Sequence, residues 1–182
     1  MKKLGEITKK ILEFFLSLKD DDWVEWKATA NDWQDNCDKF HECYFIVKQM
    51  PKYPQHSNCR CLLKKISKPV PNITANATCD FQKFAGYVFS DKYRDGKKEI
   101  FESWGYTIED SAYLQKLYTA QAIEKYCNGE YEYVGTNNYS AKISIEIVLE
   151  NKNGKKQLIK TIWSVGKKGE ITLITPYSGH KY

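Results

Sequence analysis

The chain has 182 residues, of which 42% are hydrophobic, 14% aromatic and 28% charged, with a formal net charge of +5. So many Tyr, Phe and Trp side chains can bury a core, which excludes collagen-like, low-complexity and fully disordered organisation. The length suits one domain, or a small module joined to a modest one, and no apolar run approaches the roughly 20 residues that cross a bilayer.

Leu4, Ile7, Ile11, Phe14, Phe15 and Leu18 recur at spacings of three and four, which predicts an amphipathic helix within residues 1–22. Glu13 interrupts this run, and Asp20-Asp21-Asp22 stands where a signal peptide needs small residues, so a cytoplasmic chain is expected. Residues 23–66 then hold three Trp, four of the six Cys and two of the three His, with no long periodicity. A loop-rich module held by something other than a broad core is expected there.

Its soft ligands fall in two runs, Cys37-Asp-Lys-Phe-His41-Glu-Cys43 and His56-Ser-Asn-Cys59-Arg-Cys61. Zinc takes four tetrahedral sulfur or imidazole ligands and supplies folding energy that a small module lacks. The sequence therefore predicts a structural zinc site on Cys37, Cys59 and Cys61, completed by Cys43, His41 or His56. Free buried thiols, or disulfides outside the cytoplasm, are the competing readings. Cys79 and Cys127 stand apart and are expected in the core. Residues 67–78, SKPVPNITANAT, have the composition of a linker.

From residue 79 onward the pattern is that of an α+β domain, spanning 79–182. Phe81, Phe84, Val88 and Phe89 predict a first helix, and Ile100, Phe101 and Trp104 a second that stops at Gly105. Thr107 to Ser111 carries helix-start chemistry for a third, with Tyr113, Leu117, Ala120, Ile123 and Cys127 on its apolar side and Asn128-Gly129 at its end. Four strands follow at 130–135, 140–150, 156–165 and 169–175, the clearest alternating Ile143, Ile145 and Ile147 with polar residues. Asn153-Gly154 and Lys168-Gly169 make short turns between consecutive strands. The predicted fold class is thus α+β: three helices packed on a four-stranded antiparallel meander, preceded by the Cys/His-rich module and the N-terminal amphipathic helix.

Charge is uneven along this chain. Residues 151–182 carry seven lysines against one acid, Glu170, while the rest of the chain is close to neutral. Such a basic segment points to an anionic partner, with RNA expected, unless the lysines merely solvate strand edges and turns. Metal-independent RNA cleavage needs a base for the ribose 2′-OH, an acid for the leaving 5′-oxygen and cations for the phosphorane charge. The candidate catalytic residues are Lys97, Thr161, Thr175 and His180, the last being the domain's one histidine. Lys98, Lys160, Trp163 and Tyr177 are the candidate nucleic-acid contacts, the two aromatics offering surfaces on which bases stack. Trp163 also alternates with apolar neighbours, as a core residue does. No Gly-rich phosphate loop, nucleophile elbow or His-Glu-x-x-His motif is present.

Two resemblances bear on these runs. Pro51 to Cys61, Pro-x-x-Pro-x-His-x-x-Cys-x-Cys, resembles the C-terminal signature of phage minor head proteins of the Mu head-morphogenesis family. It covers residues 30–63 and implies a phage- or mobile-element-derived docking or packaging module with a toxin-like cargo behind it. Export as such a cargo, and an immunity protein or a phage or secretion component as partner, follow from the same resemblance. Residues 79–180 resemble a bacterial family of small uncharacterised domains found near toxin and immunity genes. That likeness rests on Gly96 to Phe101, Trp104-Gly105-Tyr106, Lys160 to Trp163 and Leu173 to Tyr177. Their topology is also similar to the barnase–EndoU–colicin–RelE class of ribonucleases, which implies an RNA-targeting, ribonuclease-like toxin domain. The alternative is a non-catalytic protein-binding or immunity module. Convergence of the lysines on one face with Thr161 would favour catalysis, and a scattered arrangement the binding module.

Overall fold

A computed structural model describes residues 9, 11, 13–29, 37–56, 59–93 and 96–180, except the side chain of His180. Leu4, Ile7 and Lys181 lie outside the described residues. A helical stretch over 13–17 leads into β1 (Trp23–Lys27), the centre of a three-stranded antiparallel sheet with β2 (Tyr44–Ile46) and β3 (Leu62–Ile66) on its flanks. Val24 lies opposite Phe45, and Trp26 opposite Leu63.

This module has more core than its sequence predicts. Trp23, Val24, Trp26, Phe40 and Phe45 are all buried. The reason is that side chains alternate across a strand, and both faces of this sheet are covered. Trp26 packs on Phe40 and Tyr53, with centroids 4.9 and 5.3 Å away. Trp23 points the other way, against Tyr126 and Tyr131 of the following domain, at 5.5 and 6.4 Å. A strand buried on both sides shows no period of two, so the sequence pattern hid it.

The second sheet has five strands in the order β4-β8-β7-β6-β5. The predicted meander is its larger part: β5 (Glu132–Thr136), β6 (Ala141–Glu150), β7 (Lys156–Val165) and β8 (Glu170–His180), each antiparallel to the next. The fifth strand, β4 (Asn76–Thr78), lies in the stretch expected as a linker and pairs parallel with β8. Thr74 and Ala75 just before β4 pass so close to Gly169 that a Cβ on Gly169 would meet Thr74 O at 2.8 Å and Ala75 Cβ at 2.9 Å.

The helical layer also departs from expectation. Residues 81–88 form a 3₁₀ turn (Phe81–Lys83) and a π turn (Phe84–Val88), not an α-helix. Two α-helices follow, α1 (Lys97–Ser103) and α2 (Ser111–Asn128). The Thr107/Asp110 capping box starts the turn before α2, and Gly129, with φ +71°, ends the helix. The buried stripe of α2 is Leu114, Tyr118, Ala122, Ile123, Tyr126 and Cys127, rather than the side carrying Tyr113 and Ala120, both of which are exposed. Tyrosine misled the reading, because its ring is buried while its hydroxyl still needs a partner. Tyr118 Oη donates to Pro176 O at 3.0 Å, and Tyr126 Oη to Tyr44 O at 2.7 Å. α2 packs on β6 and β4, covering Ile143, Ile145, Ile147 and Trp163, all fully buried. Gln121 closes the bare edge of β6: its side chain donates to Val148 O at 2.9 Å and accepts from Val148 N at 2.8 Å.

Candidate metal centre and polar cleft

Cys37 precedes a 3₁₀ turn (Asp38–Phe40), and Cys61 immediately precedes β3. The segment between Cys59 and Cys61 is pinned at two carbonyls: Thr29 Oγ1 donates to Arg60 O at 2.7 Å, and Tyr53 Oη to Cys61 O at 2.6 Å. Cys37 Sγ then lies 3.6 Å from His56 Nε2 and 3.8 Å from Cys59 Sγ. All three donor atoms fall within 4.8 Å of one another. Around one tetrahedral zinc, bonds of about 2.3 Å to sulfur and about 2.05 Å to nitrogen set edges of about 3.8 Å for S···S and about 3.6 Å for S···N. Both separations from Cys37 reproduce those edges. All six cysteines are thiols in this structure.

Cys61 is buried and interacts electrostatically with the Cys37 and Cys59 thiols, while lying outside the three residues whose donor atoms are all within 4.8 Å of one another. Burial pushes the Cys37 and Cys61 thiols up, and at Cys37 the neighbouring sulfurs push further, since ionising one thiol beside others concentrates negative charge. A bound dication reverses that penalty. Burial, then the same thiols, pushes the Tyr53 hydroxyl up to about 12, which keeps it a neutral donor to the Cys61 carbonyl. The buried indole N–H of Trp26 has no partner at ordinary hydrogen-bond geometry, yet it faces Cys61 and favours that sulfur's ionised form. A metal-bound thiolate is the acceptor such a donor calls for. The donor set, three sulfurs and one imidazole, therefore fits zinc.

Cys43 is not brought to this group. Its thiol reaches the carbonyls of Lys39, His41 and Val165 at 3.6, 3.9 and 3.7 Å, and burial pushes it up to about 12. His41 is likewise absent from the cluster. Cys79 and Cys127 are buried apart from it, as expected.

The candidate RNA residues do not form one site. Thr161 is fully buried: its Oγ1 donates to Ile145 O at 2.6 Å and accepts from Trp163 Nε1 at 2.7 Å. Trp163 is fully buried as well. Both sit on the β7 face that α2 covers, so neither can touch a phosphate or stack on a base. Lys97 Nζ donates to Tyr87 Oη at 2.8 Å and lies 4.9 Å from that ring's centroid. Lys98 pairs with Asp91. Thr175 Oγ1 donates to Tyr177 O at 3.1 Å, and the Tyr177 ring packs 6.3 Å from Trp104. Thr175 and Tyr87 share a cleft of about 540 Å³ with Lys83 and Tyr93. His180 pairs through its backbone with Ile159, next to Lys160.

Lys160 lies elsewhere, directly opposite Glu146 on the sheet face that points away from Ile145 and Ile147. It lines a second polar cleft of about 500 Å³ with Lys125, Glu130, Glu132, Ser144 and Glu146, and with Lys48 and Gln49 from the N-terminal module. Sequence reasoning missed all of these partners. For Ser144 and Glu146 a signal existed, because they are the outward positions of the best-patterned strand. For Lys48 and Gln49 none did. A further depression, about 630 Å³ between Phe14, Phe15 and β3, is mostly apolar, with Lys27, Lys64 and Lys65 also lining it.

Residues 69–180 match the model of a family described as a domain of unknown function, DUF6883. The matched span runs from before β4 to the end of β8 and contains none of Cys37, His56, Cys59 and Cys61. No curated protein matches the chain, and neither does any solved structure. No helix among the described residues is long and apolar enough to cross a membrane.

Proposed function

The chain belongs to the DUF6883 family, and we propose that it is an RNA-targeting protein stapled by one structural zinc ion. Cys37, His56, Cys59 and Cys61 hold the ion. With four protein ligands it keeps no open position, and it supplies a crosslink and folding energy, not catalysis. The spacing of the donors about Cys37 is what supports this part.

The family domain binds single-stranded RNA on the outer face of its sheet. The observation that carries this reading is the cleft where Lys125 of α2 and Lys160 of β7 meet around Glu146. Lysines from separate elements take successive phosphates, and a carboxylate facing Lys160 is placed as a base for a ribose 2′-OH. A toxin-like role in a phage- or mobile-element-derived chain rests on the resemblances of both segments. A second reading, a non-catalytic protein-binding or immunity module, is favoured by the burial of Thr161 and Trp163 and by the mixed charge of the cleft, whose Glu130 and Glu132 offset its lysines.

Inducible expression of the full chain, with growth and total RNA followed together, tests the catalytic form. Growth arrest with RNA fragmentation that Glu146→Gln abolishes supports it. A folded protein that binds RNA at low salt without cleaving it is a recognition module. One that binds no RNA leaves the protein-binding role.

A further inference from the structure

Of the six cysteines, all among the described residues, five are buried and Cys59 alone is half-exposed. Within the metal cluster its sulfur is therefore the one a small solute reaches from solvent. The buried sulfur of Cys37 lies 3.8 Å behind it. Cys61 is buried as well, but stands outside the trio of donors that fall within 4.8 Å of one another. A disulfide needs about 2.05 Å between its sulfurs, so Cys37 and Cys59 must close by about 1.8 Å, a shift that side-chain rotation supplies.

Oxidation by peroxide selects a thiolate that solvent reaches and that has a resolving cysteine beside it. A metal-bound Cys59 meets each condition, since the ion keeps its sulfur ionised and Cys37 is the neighbour. The Cys59 thiolate attacks one oxygen of hydrogen peroxide, the O–O bond breaks, and Cys59 becomes a sulfenic acid while the departing hydroxide takes a proton to form water. Cys37 Sγ then attacks Cys59 Sγ, forming the S–S bond and expelling a second hydroxide, which is protonated in turn. Each sulfur gives up one electron, the peroxide takes both, and zinc leaves with two of its four ligands gone.

Contacts other than the metal hold the chain around this pair. β1 pairs with β2, Phe40, Cys43 and Phe45 are buried, and Lys168 N donates to Glu42 O at 2.6 Å. The backbone at Cys59 is held through the Arg60 and Cys61 carbonyls, which accept from Thr29 and Tyr53. Both cysteines therefore keep their places as the ion departs. We infer that Cys37 and Cys59 form a redox-modification site, at which peroxide exchanges the zinc crosslink for a disulfide between the same two residues. The inference rests on the zinc reading above and goes beyond it: the metal crosslinks the module in reducing surroundings, and sulfur does so in oxidising ones.

The test treats the reduced, zinc-loaded full chain with hydrogen peroxide in rising molar ratio. Zinc is followed with a chromogenic chelator, and the cysteines are mapped by mass spectrometry without reduction. About one zinc per chain should be released as a Cys37–Cys59 crosslink forms, and a thiol reductant with added zinc should reverse both. The reduced, metal-free chain should give the same crosslink, because the fold brings the two sulfurs together. The oxidised, zinc-free chain should melt roughly 5–10 °C above the reduced, zinc-free one. Cys43→Ser should leave release and crosslink unchanged, since that thiol lies apart, against the Val165 carbonyl. Zinc retained through excess peroxide, or released with Cys59 oxidised to the sulfinic acid and no crosslink, overturns the inference. So does a crosslink that uses Cys61 in place of either residue, or an oxidised chain no more stable than the reduced, zinc-free one. No zinc in the freshly reduced protein refutes the zinc reading itself, and the metal-free arm then decides the cysteine pair separately.

Discussion

Thr161 is the residue at which a structural role and a catalytic one separate most sharply. Thr161→Val keeps the side chain's shape and removes its hydroxyl, so no cavity forms. The Trp163 indole N–H then loses its acceptor, 2.7 Å away, inside a fully buried environment. An unpaired buried donor costs about 1–3 kcal/mol, and the lost bond to Ile145 O adds about 0.5–1.5 kcal/mol. The expected loss is about 2–4 kcal/mol, or roughly 5–15 °C in Tm for a chain of this size. Thr161→Ser keeps both hydrogen bonds and deletes one methyl group, for about 1 kcal/mol. Urea unfolding of the three proteins, with Trp163 contributing to the fluorescence signal, gives the ranking directly. Valine should be the more damaging change, and at temperatures where it remains folded it should bind RNA as the wild type does. A serine variant less stable than the valine variant would show that the hydrogen bonds are not what Thr161 contributes. A stable valine variant that no longer binds RNA would return Thr161 to the site.

Freshly purified, reduced protein should carry about one zinc by elemental analysis, and His56→Ala or Cys59→Ser should lose it while Cys43→Ser keeps it; equal loss in all three would dissolve the assigned ligand set. Because burial and crowding hold the Cys37 and Cys61 thiols protonated, binding must release protons, so zinc affinity should fall as pH is lowered and a pH indicator should register the release. Gly129→Ala should destabilise by about 2–4 kcal/mol in denaturant, from a left-handed φ of +71° and a clash with Ile46 at 2.6 Å. Burial raises the Cys43 and Cys79 thiols from 9.0 to about 12 in the folded chain, so they stabilise it below pH 9. That contribution should fade as pH climbs toward 12, which alkaline unfolding curves of the double serine variant, shifted against the wild type, would measure.

Local chemistry made much of the second domain legible. Ile143, Ile145 and Ile147 declare a strand with one buried face, Asn153-Gly154 and Lys168-Gly169 declare its neighbours' turns, and Asn128-Gly129 declares a helix end, because each signal is complete within a few residues. The crowding of sulfur and imidazole between Cys37 and Cys61 likewise announced a cluster that could hold a metal, without the fold. Which donors converge was not legible. Cys43 is as close to Cys37 in the chain as many true ligand pairs, but the turn at Asp38–Phe40 carries it toward Val165 and away from His56. β4 was equally hidden, since a three-residue edge strand owes its existence to β8, almost a hundred residues further on. The cleft likewise depends on contacts between residues far apart in the chain. Lys48 meets Lys125 and Lys160 because Trp23, Ile46, Tyr126 and Tyr131 share one core across the joint between the sheets. Apolar burial is non-directional and leaves no spacing rule in the chain, so residues brought together by it acquire their common role only once the chain has folded.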